Sequence, residues 1–432
     1  MNVALFSDAY LPTKNGVVTV VLQIKQALED LGHNVVVVTV DSKAADKNHK
    51  KKSRLRRLGE AMNTGVLHEK SVVSKFGDGQ FLGLPSKNEV VEFLKRKKID
   101  IVHAHTEFTI GQVALKAARK LKIPAIATTH TMWEDYYRYY LSFGKLIPKS
   151  FIRFIVKKSY QNFYALINVS EKAHNYYKMP FMTPKLPSAI IPNAIDTKRF
   201  ISHGVSEEEK ENLKNELKIK KSDRIVLYVG RVVEEKRVFE LLDVMTDVIH
   251  KKNNIKMVFV GNGAAYDELM KRAEKAGLID SGNIIFTGYI DWEKLAVYYA
   301  IGDIFVTSSL SEMHSMTILE ALSLGLPVVC RKDTSFSDTI FHGIDGYAAE
   351  SDEELAEYIM ELADNDSLRY EFSLKALEIS KRFTLDIYGK RTEAFYKKVL
   401  SSYPGKLTDS QLQEAVDSSV PMTDYRKMVK NC

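Results

Sequence analysis

The chain has 432 residues, 45% of them hydrophobic and 27% charged, which excludes wholesale disorder or a collagen-like chain and predicts two or three domains. Its only cysteines, Cys330 and Cys432, are too far apart to form a disulfide framework, so a reducing compartment is expected. The net charge of +7 is modest, so where the cations cluster matters more than how many there are.

Met1-Asn2 runs straight into the apolar Val3–Phe6, without the basic start and longer apolar run of a signal peptide. No run of about 18 apolar residues follows, so no bilayer-spanning helix is expected. The expectation is a cytoplasmic protein, peripheral on the inner face of the cell membrane. After the strand Val3–Phe6, Pro12–Gly16 is loop chemistry, and Val17, Val20, Val21, Ile24, Leu28 and Leu31 recur at helical spacing up to Gly32. Val35–Val40 is apolar on both faces, as in a parallel sheet covered by helices. Further strands are expected at Ile101–Ala104, Ala125–Thr128, Ala165–Val169 and Ala189–Ile191.

A second series begins near Arg224, with strands Ile225–Val229, Met257–Val260, Ile284–Thr287, Ile304–Thr307 and Pro327–Cys330. Helical patterns follow the first four of these, at Val238–His250, Tyr266–Ala276, Trp292–Ala300 and Thr317–Leu324. Alternation of this kind is an α/β fold with parallel sheets, and two series predict two doubly wound, Rossmann-like domains. The expected division is 1–200, 201–384, and a C-terminal segment 385–432. In that segment the amphipathic helix Leu385–Leu400 returns toward the first domain, and a polar tail follows.

Doubly wound sheets bind ligands at the carboxyl ends of their strands, so the candidates are residues just after strands. Gly16 lies in a loop that leads into a helix, where an anion is favoured, although a plain tight turn has the same composition. His130 follows Ala125–Thr128 and is placed to donate to a sugar hydroxyl; mere packing is its ordinary use. Gly230-Arg231 with Lys236 offers two cations at a strand end for a diphosphate, against the alternative of a solvated turn. Gly261 and Gly263 allow close approach by a flat ligand. Glu312 and Glu320 bracket a helix start containing Ser315, Met316 and Thr317, an arrangement suited to phosphates and sugar hydroxyls. Glu320 sits in apolar context and wants a partner.

Gly230-Arg231 with Lys236, the Gly-x-Gly loop, and Glu312-x7-Glu320 followed by Gly325-x-Pro327 resemble the retaining glycosyltransferases of family 4. The resemblance extends to about Leu400 and implies a GT-B fold, two Rossmann-like domains facing across a cleft. The N-terminal segments Phe6–Pro12, Gly16–Thr19, His103–Phe108 and His130–Tyr136 are similar to the bacterial diacylglycerol glucosyltransferases. The resemblance implies that Arg231 and Lys236 hold a diphosphate, Glu320 a ribose and Glu312 the donor sugar. It sets His130 near the anomeric centre and Gly16 in the loop over the phosphates. Family members often carry glycine where this chain has Ser315, so a differently shaped phosphate-binding turn is expected, because serine disfavours positive φ.

The implied reaction is a retaining transfer of a hexose, glucose, from a nucleotide sugar, UDP-glucose, to diacylglycerol, with no cofactor and no metal. Arg231, Lys236 and the helix start would stabilise the leaving diphosphate. A nucleophilic role for Glu312 is the alternative. Asp364-Asn365-Asp366 falls between helical patterns, away from a strand end. Two basic stretches would meet an anionic membrane. One contains Lys50, Lys51, Lys52, Arg54, Arg56 and Arg57; the other, 145–158, interleaves cations with Phe151 and Phe154. Their alternatives are a disordered basic loop and a domain helix whose apolar face is core. No nucleic-acid motif is present. A family-4 enzyme with a soluble acceptor and a non-catalytic two-domain sugar-binding protein stand as alternative functions.

Overall fold

The computed structural model describes residues 1–13, 15–41, 53–73, 81–140, 144–200 and 204–421. These form two compact units: Met1–Ala194 together with the segment from Leu385, and Ile195–Thr384. Residues 195–200 thus belong to the second unit. The Ile195 N–H donates to the Phe383 carbonyl at 2.8 Å, and Phe200 packs into that unit's core, so the chain enters and leaves the unit at one point.

In the first unit the strands are β1 Asn2–Phe6, β2 Asn34–Val40, β3 Val66–Glu69, β6 Ile101–Ala104, β7 Ala125–Thr129, β8 Ala165–Asn168 and β9 Ser188–Ile190. A short antiparallel pair, β4 Ser71–Val73 and β5 Phe81–Gly83, lies outside the main sheet. The main sheet is parallel throughout, in the order β3-β2-β1-β6-β7-β8-β9. In the second unit β10 Arg224–Val229, β11 Ile255–Val260, β12 Ile284–Gly288, β13 Ile304–Thr307, β14 Val328–Arg331 and β15 Gly346–Ala349 form a parallel sheet in the order β12-β11-β10-β13-β14-β15. Strand order reverses between β1 and β6 in one sheet and between β10 and β13 in the other. Each reversal opens a crevice at the strands' carboxyl ends.

The period of two along β10 explains why helices cover both faces. Val226 and Tyr228 enter one core cluster, with Met257, Phe259 and helix Val238–Lys251. Ile225, Leu227 and Val229 enter the other, with helices Trp292–Ile301 and Met316–Ser323. The helix Leu385–Ser402 packs on the first unit, where Tyr388, Phe395, Tyr396 and Val399 are buried. A Cβ on Gly389 would stand 2.9 Å from the Ala27 carbonyl oxygen, so this helix approaches helix Gly16–Asp30 closely.

Several elements were not expected. The tail holds a helix, Asp409–Ser419, started by a reciprocal capping box of Thr408 and Gln411. It covers the edge strand β9: the Ser188 N–H donates to Asp409 and the Ile190 N–H to Gln413, both at 2.8 Å. A sheet edge left bare would invite pairing with another chain. Thr408-x-x-Gln411 is the sequence signal for this helix, set in an otherwise polar segment. Strands β3 and β15 span four residues each, too short for a period to register.

Candidate active site

In the second unit the loops after β10 and β13 are laced together. Ser308 Oγ donates to the Arg237 carbonyl at 2.7 Å and Ser311 Oγ to the Glu235 carbonyl at 3.0 Å. Tyr228 OH braces the turn by donating to the Arg231 carbonyl at 2.8 Å. The lacing sets Lys236 Nζ 2.6 Å from Glu312 Oε1, both groups largely but not wholly covered. Arg231, half-exposed, pairs with the buried Glu235, whose carboxyl is pushed up by burial against the pull of Arg231 and Lys236. Four residues beyond Glu312 starts helix Met316–Ser323, whose N-cap is Ser315. Glu320 is buried in it, and Tyr299 OH donates to Glu320 Oε2 at 2.6 Å. Burial raises the Glu320 carboxyl from 4.5 to about 7, partly offset by that hydrogen bond.

Ser315 has φ −77° and ψ 118°, ordinary extended backbone, so no positive φ is required of it here. Its hydroxyl accepts from the Ile318 N–H at 3.4 Å and lies 3.1 Å from Thr317 Oγ1, so serine serves as a helix cap. Met316, half-buried, packs on the core. The glycines of the neighbouring loops make room for backbone. A Cβ on Gly261, at φ 135°, would stand 1.9 Å from the Gly230 carbonyl oxygen, and one on Gly263 would stand 2.3 Å from that of Val232. The loops after β10 and β11 therefore touch backbone to backbone, joined by Val232 N–H to Asn262 carbonyl at 3.0 Å. Gly16 is the first residue of its helix. Its Cβ position meets nothing within 4 Å, and Asn15 caps the helix through the Val18 N–H.

In the first unit His130 follows β7 and is half-buried. Its Nε2 lies 3.1 Å from His105 Nδ1. His103 sits between Tyr396 OH and Thr128 Oγ1, at 2.6 Å from each, so the returning helix reaches into this cluster. Desolvation lowers His103 to about 3 and His130 to about 4, and drives His105 well down, so all three rings are neutral near pH 7. Across the β1/β6 crevice, Asp8 accepts from Thr106 Oγ1 at 2.6 Å and Thr109 Oγ1 at 3.0 Å, which ties the two loops together. His105, Asp8 and Tyr299 each act on a residue distant in sequence, and no spacing rule encodes that, whereas Glu235 stands four residues after its partner Arg231, a separation legible in the sequence.

Residues 14–199 match the family described as Glycosyltransferase Family 4, and residues 209–378 match Glycosyl transferases group 1. The chain is 29% identical over 407 residues to the alpha-monoglucosyldiacylglycerol synthase of Streptococcus pneumoniae, covering 93% of this chain and 87% of that protein. It is 29% identical over 415 residues to the synthase of the same name from Acholeplasma laidlawii, covering 94% and 99%. The chain belongs to the family-4 glycosyltransferases. Its fold is GT-B: HepE of Anabaena in complex with UDP superposes with a TM-score of 0.70 at 17% identity, over 92% of this chain and 100% of that one.

The basic candidates of this glycosyltransferase separate on inspection. Lys50, Lys51 and Lys52 lie outside the described residues. Arg54, Arg56 and Arg57 open a helix, Arg54–Thr64, with Ser53 at its N-cap and Gly65 at φ 72° beyond its end. Arg57 is not a surface cation, because its side chain is 8% exposed and paired with Glu89 at 1%. Arg54 pairs with Glu92 at 2.6 Å and Arg56 with Glu60 at 3.3 Å, both on the surface. Helix Lys149–Tyr160 has two apolar faces: Ile152, Val156 and Tyr160 are buried, whereas Phe151 and Phe154 are 53% and 54% exposed. The core alternative for that helix is therefore realised on one side, while the other side leaves Phe151 and Phe154 at the surface. Asp364 holds Lys252, and Asp366 holds Arg224 and Arg369, at the junction of two helices. Among the described residues no helix is long and apolar enough to cross a membrane.

Proposed function

We propose that this glycosyltransferase moves glucose from UDP-glucose to diacylglycerol, with retention, at the cytoplasmic face of the membrane. One observation carries the donor half of the reading: Lys236, Glu312 and the Ser315-capped helix start gather at the crevice between β10 and β13. A leaving diphosphate needs preorganised positive charge and oriented N–H groups. Lys236, Arg231 and the helix start supply these, with Glu312 on the sugar and Glu320 on the ribose. The bond between the anomeric carbon and the diphosphate oxygen breaks with its electrons leaving on the diphosphate. The acceptor oxygen bonds the anomeric carbon on the same face, and its proton passes to a phosphate oxygen. Neutral His130 donates a hydrogen bond to the sugar.

The acceptor half rests on the names of the two synthases and on the exposed Phe151 and Phe154, with Lys157 and Lys158 on the same helix. Such a face lies well on an anionic bilayer. The test is product analysis with a panel of nucleotide sugars and vesicles containing diacylglycerol, followed by the configuration of the new glycosidic bond. An α-glucosyldiacylglycerol formed from UDP-glucose supports the reading. Transfer only to a water-soluble acceptor would reject its acceptor half, and an inverted product would reject retention.

A further inference from the structure

His105 has a use the proposed mechanism does not draw on. The residue is 1% exposed and follows β6, two residues beyond His103, so the strand period turns both rings to one face. The His105 and His130 rings stack with centroids 5.3 Å apart, and a single hydrogen bond joins His105 Nδ1 to His130 Nε2 at 3.1 Å. Both rings are kept neutral by burial, so one proton lies between the two nitrogens, and either ring can own it. The other nitrogen of His105, Nε2, is buried and has no hydrogen-bond partner. If His130 owned the shared proton, His105 would carry its own on Nε2, an N–H buried with nothing to accept it. If His105 owns it, its Nε2 is only an unused acceptor, the less costly of the two defects, since orphaned buried N–H groups are the rarer case.

We infer that His105 is a positioning residue for His130: it donates Nδ1–H to His130 Nε2 and thereby confines the His130 proton to Nδ1. Neutral His130 is then a donor in one direction only, away from His105, toward whatever ligand its half-exposed edge meets. Without this bond His130 would divide between two tautomers, one of them with no proton on the ligand side. The inference rests on the proposed role of His130 as a donor to the sugar, but the tautomer exists whether or not that role does.

The experiment is nitrogen NMR of the full chain labelled with 15N-histidine at neutral pH, with His130 assigned from a His130→Gln variant. The expected spectrum has His130 Nδ1 protonated and Nε2 bare, and His105 Nδ1 protonated. A proton on His130 Nε2 would overturn the inference. His105→Asn sets an amide N–H near the place of Nδ1, whereas His105→Gln sets it near Nε2. His105→Asn is expected to keep the His130 tautomer and most of the turnover. His105→Gln is expected to lose the fixed tautomer, with kcat reduced about tenfold to a hundredfold and the KM for UDP-glucose little changed, within the range of a misplaced acid–base or donor group. Equal behaviour of the two variants would overturn the positioning role, since both substitute one buried polar amide for the ring. The correct tautomer in a protein that forms no glucosyldiacylglycerol would leave the inference standing and reject the function instead.

Discussion

Lys236 and Glu320 show how one site holds opposite electrostatic problems. Lys236 is kept near Glu312 at the crevice, as the cation proposed to meet the diphosphate. Lys236→Ala is expected to lower kcat by about a hundredfold to a thousandfold, the usual loss for one transition-state donor, with unchanged circular dichroism. Turnover within a few-fold of the parent would remove Lys236 from the clamp. Glu320 carries a stability cost, because its carboxyl titrates at about 7 when folded and at about 4.5 when unfolded. Below 4.5 both states are protonated; as the pH rises to 7 the unfolded chain ionises first, so stability falls by about 3 kcal/mol and stays down above 7. Glu320→Gln still accepts from Tyr299 but cannot ionise. Thermal unfolding should find it more stable than the parent at pH 8 and level with it near pH 4.5, while calorimetry finds weaker UDP binding. An unchanged pH dependence would place the cost on another carboxyl.

Among the elements, two helices of the first unit divide their charges and apolar residues by face. Arg57 and Arg54 are three residues apart, yet one is buried against Glu89 and the other is at the surface with Glu92. Arg57→Ala would strand the Glu89 charge inside, at about 3–5 kcal/mol, whereas Arg54→Ala or Arg56→Ala should cost no more than about 1 kcal/mol. Chemical denaturation of the three variants checks this, and equal losses would refute the division. On helix Lys149–Tyr160 the neighbours Phe151 and Ile152 face opposite ways, 53% and 7% exposed. Phe151→Glu should fold normally and bind anionic vesicles more weakly, while Ile152→Glu should fail to fold. Vesicle sedimentation with circular dichroism distinguishes them. Undiminished vesicle binding by Phe151→Glu would reject this face as the one that meets lipid.

For the whole molecule, the segment from Leu385 decides what folds alone. It returns to the first unit, burying Tyr388, Phe395 and Tyr396, setting Tyr396 OH 2.6 Å from His103 Nδ1, and covering the edge of β9. The second unit is continuous from Ile195 to Thr384 and has its own core on both sheet faces. A fragment 195–384 should therefore unfold cooperatively and retain UDP binding, whereas 1–194 should not fold until 385–421 is supplied. Cooperative unfolding of 1–194 by itself would show that the returning helix is dispensable.

Sequence alone determined the α/β class, both strand series and the family, because β-branched runs, helical spacing and residues after strands are local patterns. It also offered Lys236 and Glu312 as candidates, since strand ends are where doubly wound sheets bind ligands, and Glu320 because a carboxylate in apolar context wants a partner. Tertiary structure alone decided the partners: Tyr299 for Glu320, Glu89 for Arg57, His105 for His130. Each pair joins segments 21 or more residues apart, and side chains meet there only because parallel strands and their covering helices bring those segments together. The same holds for Gly261 and Gly263, where a Cβ would collide with the neighbouring backbone of Gly230 and Val232. A glycine is visible in a sequence; the carbonyl it makes room for is fixed only when the strands pair.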